Sequence, residues 1–165
     1  MDNLVGKYFV KFTQNGDFID ITSASLADGV RILAINGFFE QGEPVNVYTA
    51  QWVDSQTEDM MIAKRDNSNN PVVVRKNVDI EITFIVKKKY ASNQSNFNVA
   101  ARHDYFIELM TSSELWIKSL YANKIAHCIC LKEYKPTTVK LQRGDDSFIM
   151  GTLTLHLLDK ATNIS

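Results

Sequence analysis

Histidine and cysteine are the side chains here best suited to hold a metal ion, and three of them stand together. They are His127, Cys128 and Cys130, in the segment HCIC. A zinc site normally takes Cys or His ligands two to four residues apart on a turn, with further ligands from elsewhere in the chain. In this chain the two cysteines alternate within an apolar strand pattern, which is typical of small buried side chains. We therefore expect no metal site, no disulfide between this pair and no bound cofactor.

The remaining histidines, His103 and His156, are candidates for a general base, because imidazole titrates near neutral pH. No recognised nucleophile motif and no glycine-rich phosphate loop accompanies them in the sequence. Carboxylates are scattered through the segments QTED, IDIT and RGDDS, and two of them could meet in space as a glycosidase pair does. Scattered surface acids are the more common origin of such a pattern, so structural or surface histidines and no catalytic site are expected.

Charge is nearly balanced, with 18 basic and 19 acidic side chains and a net charge of -1. This balance argues against the broad positive surface of a nucleic-acid-binding protein. The basic run Lys87, Lys88 and Lys89 could contact phosphate, but lysines at a solvated strand end also discourage aggregation between sheet edges. No stretch reaches the roughly 20 apolar residues of a membrane span, and the first residues do not form a signal-peptide pattern. We expect synthesis in the cytoplasm and no membrane or sequence-specific nucleic-acid partner.

Most of the chain shows the alternation of a half-buried antiparallel strand. Strand-like segments recur between turn signals such as Asn15-Gly16, Asp28-Gly29 and Asn36-Gly37. Residues 74–92 are predicted to form one long strand that ends in the three lysines. One segment instead has a helical period, in which Val99, His103, Phe106 and Met110 share a face behind a candidate N-cap, Asn98. The predicted fold is a single mainly β domain, an antiparallel β-sandwich or barrel with one flanking α-helix at about residues 98–112.

Two methionines stand beside a polar loop tip, in the segment DMMIAKRDNSNNP. Flexible apolar side chains on a protruding hairpin suit an interface formed on assembly, although they also suit an ordinary hairpin core. A protruding hairpin is predicted at about residues 57–76, as a ribbon pairing DMMIA with the segment beginning at Val72. The candidate self-assembly residues are Met60, Met61, Lys64, Arg65, Asp66, Asn67, Asn69 and Asn70.

The order of parts from about residue 45 to 158 resembles the tail-tube fold shared by phage tail-tube proteins, siphophage distal tail proteins and the tube protein of type VI secretion. The resemblance lies in paired strands through YTAQWVDSQTEDMMIA, a polar loop, the strand NVDIEITFIV, one helix and four further strands ending in GTLTLHLLD. The closest local likeness is to the N-terminal domain of distal tail proteins. The first 40 residues lie outside it.

This resemblance implies a non-catalytic structural protein of a phage or prophage tail that assembles with itself into a ring or tube. In those families the rings are hexameric and long hairpin loops bridge neighbouring subunits. The implied partners are other copies of the chain and neighbouring tail proteins, and the implied location is the virion tail. The alternative from a different class is a ligand-binding β-sandwich module for carbohydrate, with Tyr48, Trp52 or Trp116 as stacking platforms. An enzyme ranks third.

Overall fold

The computed structural model describes residues 4–40, 42, 47–50, 60–63, 67–68, 70, 75–142, 146–159 and 161–164, with backbone only at 47–50 and 60–63. The chain divides into two compact units. The main unit comprises Met1–Phe39 and Asp79–Ser165, and the insert unit comprises Glu40–Val78. No helix in the described ranges is long and apolar enough to cross a membrane.

The main unit is built on one antiparallel sheet, which confirms the predicted fold class. Its strands run in the order β2-β1-β7-β8-β10-β6-β3, with β9 paired to β10 and β11 paired to β8. The strands of the described chain are β1 Tyr8–Lys11, β2 Ile19–Asp20, β3 Val30–Asn36, β4 Val47–Ala50, β5 Met60–Ala63, β6 Asp79–Lys87, β7 Leu115–Ser119, β8 Lys124–Ile129, β9 Thr138–Lys140, β10 Phe148–Leu157 and β11 Thr162–Asn163. Here β4 and β5 belong to the insert unit.

Alternation along the central strands fixes which side chains enter the core. In β6, Ile80, Ile82, Phe84 and Val86 are fully buried, and the residues between them lie on the outer face. β10 pairs with β6 from Phe148↔Lys87 to His156↔Asp79 and buries the matching positions. Because successive side chains of a strand point to opposite faces, one side of this sheet is apolar and the other is largely polar.

The helix α2, Val99–Thr111, covers the apolar face of β6 and β10. Asn98 caps it, since its side-chain oxygen accepts a hydrogen bond from the Ala101 N–H at 3.0 Å. The predicted stripe of Val99, His103, Phe106 and Met110 is buried, and the Phe106 ring lies 4.9 Å from that of Phe84. Both the helix and its inward face are therefore confirmed.

Two local features differ from the prediction. The strand predicted over residues 74–92 is shorter at both ends, since β6 runs only from Asp79 to Lys87 and Lys88–Tyr90 form a 3-10 turn. The turn closes because the Ala91 N–H donates to the Lys88 carbonyl at 3.0 Å. A one-turn helix, α1 Ala24–Ala27, was not predicted. Its apolar positions Leu26 and Ala27 are too few to show a helical period, and Gly29 with φ +77° follows directly.

In the part of the insert unit that the structure describes, β4 lies antiparallel to β5, with Val47 opposite Ala63 and Ala50 opposite Met60. The predicted ribbon placed β5 beside the segment from Val72 onward. Since a strand has two edges, pairing of one edge with β4 leaves that prediction open. Residues 64–66 and 71–74 lie outside the described residues, so the hairpin predicted at 57–76 stays a prediction. The single-domain assignment also stays a prediction.

Candidate functional site

Lysines and aromatic rings alternate on the outer face of β1 and β7, together with Phe18, which directly precedes β2. Lys11 Nζ lies 5.2 Å from the centre of the Trp116 ring and 5.0 Å from that of Phe18. Lys118 Nζ lies 4.6 Å from the Phe18 ring and 4.9 Å from the Phe9 ring. We call these five residues the cation–π ladder. An ammonium group over a ring face is attracted by the ring quadrupole, so each lysine is held between two aromatic neighbours.

His127 continues this row on the far side of Trp116. The antiparallel register places Lys11 opposite Trp116 and Trp116 opposite His127, so the indole lies between the other two side chains. The imidazole stacks on the indole at 4.4 Å with an interplanar angle of 2°. A sugar ring that stacked on Trp116 would therefore compete with His127 for the indole face. The other two aromatic residues of the carbohydrate alternative, Tyr48 and Trp52, have no described side chains.

Two carboxylates contact the two nitrogens of the His127 ring. The Nε2 atom lies 2.9 Å from Glu114 Oε2, and the Nδ1 atom lies 3.2 Å from Asp159 Oδ2. Glu114 directly precedes β7, and Asp159 follows β10 by two residues. The group borders an open cleft of about 380 Å³, which is lined by Gln14, Glu114, Trp116, Ile125, His127, Asp159 and Thr162.

A second polar group joins β6 to β10. Asp79 Oδ2 accepts a hydrogen bond from Lys132 Nζ at 2.7 Å, and Asp79 Oδ1 lies 3.2 Å from His156 Nδ1. The hydrogen bond from Lys132 holds the pKa of Asp79 below its ordinary value, against a smaller opposing effect of burial. The register brings His156 directly opposite Asp79. Asp79 thus makes an ion pair with Lys132, which lies in the loop after β8, and a contact with His156 on the neighbouring strand β10.

The third histidine, His103, lies on the buried face of α2. His103 Nε2 lies 2.7 Å from the Tyr134 hydroxyl, and its Nδ1 lies 3.1 Å from Asp104 Oδ1. Burial, with a smaller effect of the Asp104 charge, raises the pKa of Tyr134 to about 12. A Cβ atom at Gly151 would lie 2.4 Å from the Tyr134 hydroxyl oxygen, so glycine in the middle of β10 makes room for this ring. All three histidines thus hold side-chain partners within the fold.

The cysteines separate across the end of β8. Cys128 is fully buried, and burial raises the pKa of its thiol to about 12. Cys130 lies one residue past the end of β8 and is partly exposed, so the expectation that both cysteines are buried strand residues is wrong for Cys130. Its thiol donates to the Lys132 carbonyl at 3.4 Å. Both are free thiols. In the described ranges, no three His, Cys, Asp or Glu side chains are placed to share a metal ion.

The predicted assembly residues fall in the insert unit. Met60 and Met61 begin β5, which is described by its backbone alone. Asn67 lies in an exposed turn, and Asn70 is exposed. Lys64, Arg65, Asp66 and Asn69 lie outside the described residues. None of the polar groups above includes any of these positions.

The groups around His127 and Asp79 were missed at the sequence level. Their members are separated by 13 to 77 residues along the chain, and only strand register brings them together. Alternation in LWIKS and KIAHCI does place Trp116 and His127 on the outer faces of their strands. That signal identifies a face but not the cross-strand neighbour, which depends on which strands pair and in what register.

Comparisons with known proteins found similarity to solved structures. No family model matches this chain, and no curated protein does. A solved structure that it resembles is that of the phage p2 baseplate in its activated conformation with Sr, with 12% sequence identity and a TM-score of 0.45. The match covers 94% of this chain and 45% of the other, so the chain spans less than half the length of that phage protein.

Proposed function

We propose that this chain is a non-catalytic structural protein of a phage or prophage tail that assembles with copies of itself into a ring or tube. It would be made in the cytoplasm of the bacterial host and would contact neighbouring tail proteins in the virion. By analogy with the resembled families, which include distal tail and tail-tube proteins, the ring is a hexamer. No cofactor takes part in this role.

The observation that carries the proposal is the arrangement of elements around α2. A long antiparallel strand, β6, leads into α2, which returns across the apolar face of β6 and places Phe106 against Phe84. The strands β7 to β10 then complete the sheet. This is the order on which the resemblance to the tail-tube fold depends, now with its strand pairings. The step from fold to function is an analogy, because one fold can host several functions.

Exposed apolar side chains at one end of the main-unit sheet also support self-association. Phe39 and Tyr121 are 72% and 55% exposed, and Val5 and Leu120 are 59% and 47% exposed. Contacts place these residues near one another: the Tyr121 ring lies 5.8 Å from that of Tyr8, which is 6.4 Å from that of Phe38, the neighbour of Phe39. The Leu120 N–H donates to the Lys7 carbonyl. Apolar patches of this kind often mark contact sites between proteins.

The test is the mass of the protein in solution across a range of concentrations, followed by electron microscopy. Sedimentation velocity should show a concentration-dependent species, with a hexamer at six times the 18.7 kDa chain mass. Replacement of Asp66–Asn70 by a two-residue turn should abolish that species. The substitution Met60→Asp or Met61→Asp should have the same effect. Loop tips tolerate change, and a charge in an apolar contact is costly. Circular dichroism should show that each variant remains folded.

A matched control is Val139→Asp, which places the same charge at a 52% exposed apolar position in the main unit. It should leave assembly intact if the insert unit provides the contact. Loss of assembly in Val139→Asp, with retention in both methionine variants, would move the interface to the main unit. A parent protein that stays a monomer at all concentrations would refute self-assembly itself.

A further inference from the structure

The guanidinium group of Arg31 is oriented by an aromatic ring but bonded to nothing else in the described chain. Its central carbon lies 4.5 Å from the centre of the Tyr90 ring. The other two described arginines are used by the fold, since Arg102 donates to two backbone carbonyls and Arg75 donates to one. Within the described residues, Arg31 makes no hydrogen bond or ion pair. Because this side chain is partly exposed, its N–H donors remain available to a partner.

Arg31 and Tyr90 line a cleft of about 340 Å³ on the main unit, which we call the Arg31–Tyr90 cleft. Asp28 and Ser92 form part of its wall. The Ser92 N–H donates to Asp28 Oδ1 at 2.8 Å, and the Arg102 Nε–H donates to the Asp28 carbonyl at 2.9 Å. These bonds fix the wall when the chain folds. Ligand pockets in proteins begin at roughly 300 Å³, so a single amino-acid side chain fits into this cleft.

Positive charge collects around the cleft. Lys87 lies on β6 as a diagonal cross-strand neighbour of Arg31, on the outer face of the sheet. Lys89 Nζ lies 5.7 Å from the centre of the same Tyr90 ring that Arg31 contacts. Three cations therefore stand near the cleft, whose described lining contains one carboxylate, that of Asp28. This surplus attracts an anionic partner.

The guanidinium group determines which kind of anion fits. Its planar fork of N–H donors matches two oxygens of a carboxylate or a phosphate, in paired charge-assisted hydrogen bonds. The Asp28 carboxylate lines the same cleft, so it repels a doubly charged phosphate more strongly than a singly charged carboxylate. A glutamate or aspartate side chain is therefore the better match.

We propose that the Arg31–Tyr90 cleft is a docking site for an acidic segment of a partner protein. One glutamate or aspartate of that segment binds Arg31, and neighbouring carboxylates face Lys87 and Lys89. Because Tyr90 already orients the guanidinium group, little side-chain freedom is lost when the carboxylate binds. The site belongs entirely to the main unit, and it does not rest on the function proposed above.

A nuclear magnetic resonance titration with an acetylated and amidated hexaglutamate peptide tests the site. The Arg31 Nε–H and the Ser92 N–H both report on the cleft. Both signals should shift as the peptide is added, and a hexaglutamine peptide should leave them unchanged. Acetate and inorganic phosphate, compared at equal concentration, identify the anion, and acetate should shift the Arg31 signal more. Absence of a shift with hexaglutamate, or a larger shift with phosphate than with acetate, would overturn the proposal.

Arg31→Gln should lower the affinity for hexaglutamate about ten-fold or more, as expected for the loss of charge-assisted hydrogen bonds. Arg31→Lys keeps the charge but loses the paired donors, so it should lose most of that affinity too. The matched control is Lys135→Gln, which removes one positive charge at an exposed lysine in the loop after β8 and should bind the peptide as the parent does. Circular dichroism should show all three variants folded. Parent affinity in either Arg31 variant, or an equal loss in Lys135→Gln, would refute the docking site.

Discussion

Phe106→Ala tests the packing of α2 on the sheet. Phe106 is fully buried, and its ring lies 4.9 Å from that of Phe84 at an interplanar angle of 56°. Truncation of a buried phenylalanine costs about 3–5 kcal/mol through lost transfer energy and the cavity that remains. About 0.5–1.5 kcal/mol of this belongs to the ring pair alone. Such a loss is a large part of the roughly 5–15 kcal/mol that stabilises a typical domain.

Urea unfolding followed by circular dichroism measures the change, with free energies from linear extrapolation. Tyr105→Ala is the matched control, because it makes the same kind of truncation one residue away on the exposed side of α2. The Tyr105 ring is 45% exposed and contacts Arg102 at 4.9 Å, so its loss should cost less than about 1 kcal/mol. The packing argument fails if Phe106→Ala costs under about 1 kcal/mol, or if both variants cost the same.

Two further predictions rest on burial. Cys128 should react with a thiol reagent only as fast as the chain unfolds, because its thiol is buried and resists ionisation. The partly exposed Cys130 should react faster. Equal reaction rates of the two cysteines in the native protein would contradict this prediction. Tyr134 has a pKa raised to about 12 in the fold, against about 10 when unfolded. The unfolded state therefore loses this proton first, and stability should fall by about 1 kcal/mol, after allowance for solvent screening, as pH rises from 10 to 12. Tyr134→Phe should remove that part of the slope in urea titrations, and an unchanged slope would count against it.

The fold was largely predictable because its signals are local. Alternation in DIEITFIV fixes a buried face without knowledge of the neighbouring strands, and the spacing of Val99, His103, Phe106 and Met110 does the same for α2. The end of β6 at Lys87 was harder to predict. KKKY has no apolar alternation to separate a strand from a turn, and a hydrogen bond between Ala91 and Lys88 decides the outcome.

The polar groups were not predictable, because they depend on long-range register. His103 and His156 look isolated in the sequence, and His127 stands beside two cysteines, but all three gain partners that lie across strands or across the core. Tyr134 reaches His103 only because Gly151 leaves space above β10. A glycine within a strand pattern signals a close approach, but it does not reveal which side chain approaches.

The cation–π ladder bears on how such a surface would behave in the proposed ring. A free lysine loses up to about 2 kcal/mol of side-chain entropy when it is fixed in an interface. Lys11 and Lys118 are already held between Trp116, Phe18 and Phe9, so part of that loss accompanies folding instead of association. A surface ordered in advance reduces the cost of binding. If neighbouring subunits contact this face, its lysines would enter the interface with little further ordering, which favours a rigid contact over an adaptable one.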